Sequence, residues 1–387
     1  MTGRREVRNI GGEQVSSFVP APLPPRAPAL KMDAKRTALL GRAERSLARL
    51  DVAGEMVPSL DWFIYAFVRK EAVISSQIEG TQATLVDLFE YEAEKAHRKP
   101  DEDVRGVCNY LDALNYARGQ LESPKGLPLS MRLLHEAHRR LLRGVRGANK
   151  QPGEVRRSQN WIGGTRPGNA TFVPPPPAEV PALLGALETY LHANDALPQL
   201  IRIGLAHVQF ETIHPYLDGN GRIGRLLIAL LLEDWKLLRA PLLYLSLYFK
   251  QHRAEYYRLL GEVRANGDWE AWTDFFLEGV ATIADEAVVT ARDVFSLVSS
   301  DRERVLAASG ASVIAARLLE QLPVHPVITI PGIVKLLATT KPTAGKAVQF
   351  LENLGVLVET SGRLRDRTFA YRSYLDRLRA GTDLEER

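Results

Sequence analysis

The stretch IHPYLDGNGRIGRLLIALLL, residues 213–232, passes from a turn-rich loop into an apolar helical run at Gly-Asn-Gly. The helical period begins at Ile223 and Leu226, so this tripeptide falls where a helix exposes unpartnered amides and the positive end of its dipole, an anion cradle. Gly219 and Gly221 permit left-handed backbone and close approach of phosphate oxygens. Arg222 and Arg225 are three apart, share a face of the first turn and can clamp oxyanions beyond the cradle. Asp218 is a poor neighbour for bare phosphate but a good ligand for the Mg²⁺ that accompanies a nucleotide. His214 can take a proton near neutral pH. A lone Gly-rich turn, a lone His or two helical Args are more often structural, but their conjunction within twelve residues points to a nucleotide phosphate site.

Composition frames this stretch. The chain has 387 residues, enough for two or three domains. It is 45% hydrophobic and 25% charged, the balance of a soluble globular protein, and a net charge of +4 is too small to make the whole molecule a polyanion binder. Cys108 is the one cysteine, which excludes an internal disulfide framework and a cysteine-only zinc site. The N-terminus has positive charge but no following apolar core, so a signal peptide is not expected. The most apolar segment, LLIALLLEDWKLLRAPLLYL, carries Glu233, Asp234, Lys236 and Arg239, which argues against a membrane span. A cytoplasmic protein is the expectation.

Residues 1–30 are Pro-rich without helical period and read as an extended arm. Residues 31–116 show apolar spacing of three and four, predicting amphipathic helices broken at Gly54, Pro58, Gly80 and Pro100. A core of residues 117–297 follows. Within it LSMRLLHEAHRRLLRG continues as helix, with His135 and His138 read as surface residues because no third metal ligand matches them. RRSQNWIGGTRPGNATFVPPPP predicts a small β-hairpin. From residue 301 to 387, a short helix, a turn at Thr340 to Pro342, a second helix ending at Gly355 and two short strands follow the order of a winged helix-turn-helix.

The string from His214 to Arg225 resembles the signature of the Fic (filamentation induced by cAMP) family, HPF-x-[DE]-GN-[GK]-R-x-x-R, with Tyr216 in place of the usual Phe. The resemblance implies a mainly α fold: a Fic (Fido) helical core with a β-hairpin flap, an N-terminal helical region and an appended winged helix. It implies transfer of AMP from ATP, with Mg²⁺ on Asp218, to a Tyr, Thr or Ser hydroxyl of a target protein or of the chain itself, releasing pyrophosphate. His214 then accepts the hydroxyl proton. The stretch Gly219, Asn220, Gly221, Arg222, Ile223, Gly224 and Arg225 binds the nucleotide, with Arg222 on the pyrophosphate and Arg225 on the γ-phosphate. Gly221, rather than the Lys of phosphorylating members, favours adenylylation.

The same resemblance makes Asn160, Trp161 and Ile162 a flap edge along which an extended target segment pairs. It makes Tyr256 and Tyr257 candidates for the adenine wall. It also interprets AVISSQIEGTQATL, residues 72–85: Ser75 to Gly80 matches the inhibitory [ST]-x-x-x-E-[GN] motif, upstream in the same chain. Ser75 and Glu79 share a helical face, and Gly80 lets the chain turn away. Glu79 is expected to pair with Arg225 and deny it to ATP.

Three other functions stand beside this one: removal of AMP with Glu79 orienting water, transfer of another nucleotide monophosphate, and DNA binding by the C-terminal module. SGRLRDRTFAYRSYLDRLRA holds six arginines against two aspartates, enough for phosphate contacts. The helix TAGKAVQFLENLG offers few groups for base edges, so DNA is an accessory expectation. A homodimer is a further expectation from the family.

Overall fold

The computed structural model describes residues 2–55, 60–94, 99–363 and 365–384, so the expected break at Pro58 lies outside it. The chain begins with a hairpin, β1 (Gly3–Ile10) antiparallel to β2 (Glu13–Pro20), which corrects the expectation of an extended arm over residues 1–30. Gly11 and Gly12 both have positive φ, 62° and 87°, the geometry a tight two-residue hairpin turn needs. Val15, Phe18 and Val19 are buried, so β2 lies on the body of the protein. The prolines between residues 20 and 28 follow the hairpin rather than define the segment.

Helices α1 (Ala34–Glu55), α2 (Leu60–Ile78), α3 (Leu85–Glu94) and α4 (Glu102–Glu122) form the N-terminal region. Asp101 caps α4 by accepting the Val104 amide at 2.7 Å, and Ser130 caps α5 (Met131–Leu141) through the Leu133 amide. The expected boundary at residue 116 falls inside α4, which runs through it as one helix.

The remaining core helices are α6 (Val180–His192), α7 (Gln199–Ile213), α8 (Asn220–Asp234), α9 (Ser246–Gln251), α10 (Arg253–Asn266) and α11 (Trp269–Ala307). Every residue from Leu200 to Ile213 is buried, the polar Arg202, His207, Gln209, Glu211 and Thr212 included, so α7 is the central post. Gly204 lets α11 approach it: a Cβ there would meet the Phe276 ring at 3.0 Å, and the Trp272 indole donates to the Gly204 carbonyl at 3.0 Å. Along α11, Asp274, Glu278 and Asp285 pair with Arg36, Arg42 and Arg49 of α1; both series ascend, so the two helices are parallel.

The C-terminal unit comprises α12 (Val313–Gln321), β3 (Val327–Thr329), α13 (Ile330–Leu337), α14 (Lys341–Asn353), β4 (Val358–Glu359), β5 (Thr368–Ala370) and α15 (Arg372–Leu378). Its antiparallel sheet has the order β3-β5-β4. Thr329 and Thr340 cap α13 and α14; the turn between them runs over residues 338–340, earlier than the expected Thr340 to Pro342, because Lys341 and Pro342 already belong to α14. The expected division at residues 297–301 is corrected: α11 continues to Ala307, with Val298, Asp301 and Val305 buried, and Tyr371 donates to Asp301 at 2.7 Å. Arg363 of the basic stretch is paired with Glu94 at 2.8 Å. No helix among the described residues is long and apolar enough to cross a membrane.

Candidate active site

The end of α7, the loop 214–219 and the start of α8 form one rigid corner. His214 ends α7 with φ 49°, its amide still donating to Phe210 at 2.9 Å, and Gly219 begins α8 with φ 79°. Asn220 folds its side chain back: Oδ1 accepts the Tyr216 amide and Nδ2 donates to the Tyr216 carbonyl, both at 2.9 Å. Its side chain therefore shapes the loop, and only its backbone is available to the nucleotide role expected of it.

Two residues that the sequence leaves aside hold this corner from below. His138 is fully buried, stacked on Tyr216 with centroids 3.7 Å apart, which corrects its reading as a surface residue. Its Nδ1 accepts the Gly153 amide at 2.8 Å, which leaves the proton on Nε2 to donate to the Asp218 carbonyl at 2.9 Å. Burial first, then Arg222, lower its pKa to about 4, so it stays neutral. The Tyr216 hydroxyl, the group that a Phe would lack, meets His135 Nδ1 at 2.8 Å.

Arg156 is the second. It is 1% exposed, and its Nε donates to the His214 carbonyl at 2.9 Å while Nη2 reaches the carbonyls of Pro175 and Ile213. Its own amide donates to the Pro215 carbonyl at 2.9 Å. One guanidinium thus ties both ends of the flap segment to the left-handed backbone at His214.

The flap itself is less regular than a hairpin. A single antiparallel bridge joins Ile162 to Phe172, and a 3₁₀ turn spans Pro167–Asn169, which corrects the expected two-stranded ladder. Gly163 and Gly164, both with positive φ, turn the chain away after one pair. The N-terminal hairpin braces it: the Phe18 amide donates to the Val173 carbonyl at 3.0 Å, and Glu13 accepts the Gly168 amide and pairs with Arg166. Trp161 and Ile162 are 40% and 36% exposed and face outward. Asn160 instead donates to the Tyr216 carbonyl at 3.0 Å, so its side chain belongs to the corner and not to a target-facing edge.

Above the start of α8, Arg225 and Glu79 meet. Arg225 Nη2 donates to Glu79 Oε1 at 2.7 Å and to the Ser75 carbonyl at 2.8 Å, and Nε donates to Ser75 Oγ at 2.9 Å. The Arg225 side chain is 2% exposed and that of Glu79 33%. Burial pushes the Glu79 carboxyl up, but Arg225, then Arg222, outweigh it and hold it below the usual carboxylate range. A Cβ on Gly221 would lie 2.1 Å from Glu79 Oε1, so the carboxylate rests directly on the glycine of the cradle. Gly80 ends the segment with φ 95°. The space left, bounded by Glu79, Glu102, Arg146, Asp218 and Arg222, is about 80 Å³. That is well below the roughly 300–1,000 Å³ of small-molecule sites.

The proton chemistry follows from burial. His214 is partly exposed, but its Nδ1 is enclosed, so Nε2 is the nitrogen with solvent access. Burial and then Arg156 lower its pKa to about 4, which keeps the ring neutral and able to accept a proton at pH 7. Glu211, one turn earlier on α7, is pushed up to about 7 by burial, and its Oε1 makes no hydrogen bond. Of the two tyrosines expected at the adenine wall, Tyr256 is 1% exposed with its hydroxyl on His207 Nε2 at 2.8 Å: it is core, which corrects that role. Tyr257 is 43% exposed and lines a cavity of about 420 Å³ with Phe172, Gly261 and Arg264.

Asp218 fits a Mg²⁺ that arrives with phosphates. Its carboxylate is partly exposed, borders the small cavity and touches Arg222 through Oδ1 at a loose 3.4 Å. Among the described residues no group of three or more His, Cys, Asp or Glu is placed to cage a metal, and Mg²⁺ beside a nucleotide needs one or two carboxylates.

Residues 37–119 match the Fic/DOC family N-terminal model and residues 128–232 the Fic/DOC family model. A protein adenylyltransferase Fic of Aedes aegypti is 33% identical over 154 residues, covering 39% of this chain and 27% of its own. A probable protein adenylyltransferase of Aquifex aeolicus is 29% identical over 185 residues, covering 45% and 51%. The chain therefore spans about a quarter of the insect relatives it matches and half of the bacterial one. The crystal structure of a Fic family protein from Desulfovibrio desulfuricans superposes with a TM-score of 0.56 at 20% identity, over 88% of this chain and 97% of that one. At that identity the likeness is one of fold.

Proposed function

This chain carries a Fic/DOC N-terminal region and a Fic/DOC domain, and from that premise we propose that it is a protein adenylyltransferase held in check by its own Glu79. The hydroxyl oxygen of a target Tyr, Thr or Ser attacks the α-phosphorus of ATP. The bond to the β-phosphate breaks, pyrophosphate leaves, and the hydroxyl proton passes to His214 Nε2. General-base help of this kind contributes roughly 10²–10⁴-fold. A neutral imidazole is ready for that proton, and the phosphates brought beside it raise its basicity as they bind.

The α8 amides at Gly219 to Arg222 receive charge on the phosphoryl oxygens without reorganising, because His138, Asn220 and Arg156 fix the corner before substrate arrives. Asp218 would hold Mg²⁺, which supplies charge neutralisation on the phosphates when bound. Arg222 and Arg225 act on the β- and γ-phosphates. The exposed Trp161–Ile162 edge takes an extended target segment.

The observation that carries the reading is the three-bond capture of Arg225 by Ser75 and Glu79. A guanidinium so occupied, under a carboxylate resting on Gly221, cannot take a γ-phosphate. A charge-assisted bond is worth about 1.5–3 kcal/mol, which lowers the competent population roughly ten- to hundredfold. The chemistry is tested by replacing His214 with Ala in a Glu79→Gly background. Loss of AMP transfer with ATP affinity retained supports the role of His214; transfer at an undiminished rate contradicts it.

A further inference from the structure

The last turn of α2 carries Gln77, two residues before Glu79 in the turn that follows the helix, and every hydrogen-bonding group of the Gln77 amide is used. Nε2 donates to the Ala83 carbonyl at 2.9 Å and to the Thr382 carbonyl at 2.8 Å, and Oε1 accepts from Lys250 Nζ at 2.8 Å. The Lys250 ammonium spends its other donors on the same visitor, the Asp383 carbonyl at 2.7 Å and the Gly381 carbonyl at 3.4 Å. Thr382 is 1% exposed. Gly381 has φ 78°, and a Cβ there would meet Leu247 at 2.5 Å, so only glycine fits that step. The segment that enters here lies 305 residues from Gln77 and leaves directly from α15.

We propose that Gln77, Leu247 and Lys250 form a receptor for the main chain of a turned peptide segment, that its occupant is residues 381–383 of this chain, whose turn is closed by the Thr382 amide donating to the Arg379 carbonyl at 2.8 Å, and that occupancy keeps Glu79 on Arg225. The proposal rests on Glu79 as the brake. The link is short and stiff. Ile78, between Gln77 and Glu79, is 2% exposed, and its carbonyl accepts from Arg253 at 3.2 Å. Three carbonyls of the tail are read by α2 and α9, beside the glycine that the close approach of Leu247 requires and the buried Thr382. Withdrawing the tail removes one carbonyl from the Gln77 amide and two from the Lys250 ammonium, so the end of α2 loses hydrogen bonds that hold it in place. Because the tail extends from the C-terminal unit, a partner that pulls on that unit unlocks the end of α2.

The test uses the otherwise intact chain ending at Arg379, the full chain with Lys250→Met, and Glu79→Gly alone and combined with the truncation. AMP incorporation from ATP and hydrogen exchange are followed together. Truncation and Lys250→Met are expected to raise incorporation about tenfold, to add nothing to Glu79→Gly, and to speed exchange locally at residues 75–80. A synthetic peptide of residues 379–387 added to the truncated chain is expected to restore restraint, and a scrambled one not to. Wild-type rates for both variants beside an accelerated Glu79→Gly overturn the latch and leave the brake standing. No acceleration by Glu79→Gly overturns the brake itself. Exchange that quickens equally across α7 and α8 marks a general stability role and also overturns the latch.

Discussion

Arg225 Nη2 bridges two oxygens of one helix end, Glu79 Oε1 at 2.7 Å and the Ser75 carbonyl at 2.8 Å. The Glu79 carboxyl sits below its ordinary range, so its contribution to the closed state is present above the unfolded carboxylate pKa and is lost only as pH falls through the lower folded value. Mild acid therefore does not release it. AMP incorporation by the wild-type chain should show no activation between pH 7 and about 5, while Glu79→Gln, which removes the charge at every pH, raises it throughout.

The Arg156 guanidinium is the joint between flap and His214. Arg156→Lys keeps a charge but cannot span the same carbonyls. In a Glu79→Gly background it should lower kcat about ten- to hundredfold with a smaller effect on KM for ATP, and Arg156→Ala should also destabilise the fold by about 3 kcal/mol through buried carbonyls left unpaired. Steady-state kinetics and thermal melts check both.

A pH profile reports on His214 independently. Its pKa of about 4 in the resting protein is set by burial and Arg156, and Glu79 is among the groups that raise it. The kcat/KM of Glu79→Gly should stay level from pH 8 down to about 5 and fall only below that, since this ratio follows the free enzyme. An acid limb near pH 6.5 would place an ordinary, exposed imidazole at the site.

Glu211 makes a stability prediction of the opposite sign to Glu79. Its folded pKa of about 7 lies above the unfolded value, so between roughly pH 4.5 and 7 the folded chain holds a proton that the unfolded chain has released, and stability declines as pH rises. Glu211→Gln should flatten that decline, by on the order of 3 kcal/mol at most, measured as unfolding free energy at pH 5 and pH 7.5.

Tyr216→Phe removes a hydroxyl bound to His135 and leaves the ring stacked on His138. The expected cost is about 1 kcal/mol of stability, with AMP transfer in a Glu79→Gly background unchanged within about twofold.

Legibility in the sequence followed the kind of contact. The cradle was readable because Gly219, Gly221, Arg222 and Arg225 act through one loop and one helical turn, and the Glu79–Arg225 contact because both ends lie in short patterned motifs. Arg156 and His138 were not, because their partners are backbone carbonyls and amides that leave no trace in side-chain spacing. Asn160 and Tyr256 were misplaced for a related reason: a pattern gives a residue's position, but burial and rotamer decide which way it points. The N-terminal hairpin had a signal, Gly11-Gly12 between two strand-length runs, which the neighbouring prolines outweighed. The boundary at residue 301 failed because α11 keeps its apolar period through Val298 and Val305.

The central claim is that Glu79 restrains an AMP transferase by occupying Arg225. It is tested most directly by incubating the wild-type chain and Glu79→Gly with ATP and Mg²⁺ and following AMP incorporation by intact-protein mass. The account predicts a gain of one AMP, or more, that accumulates roughly ten- to hundredfold faster on Glu79→Gly. Equal rates in the two proteins would contradict it.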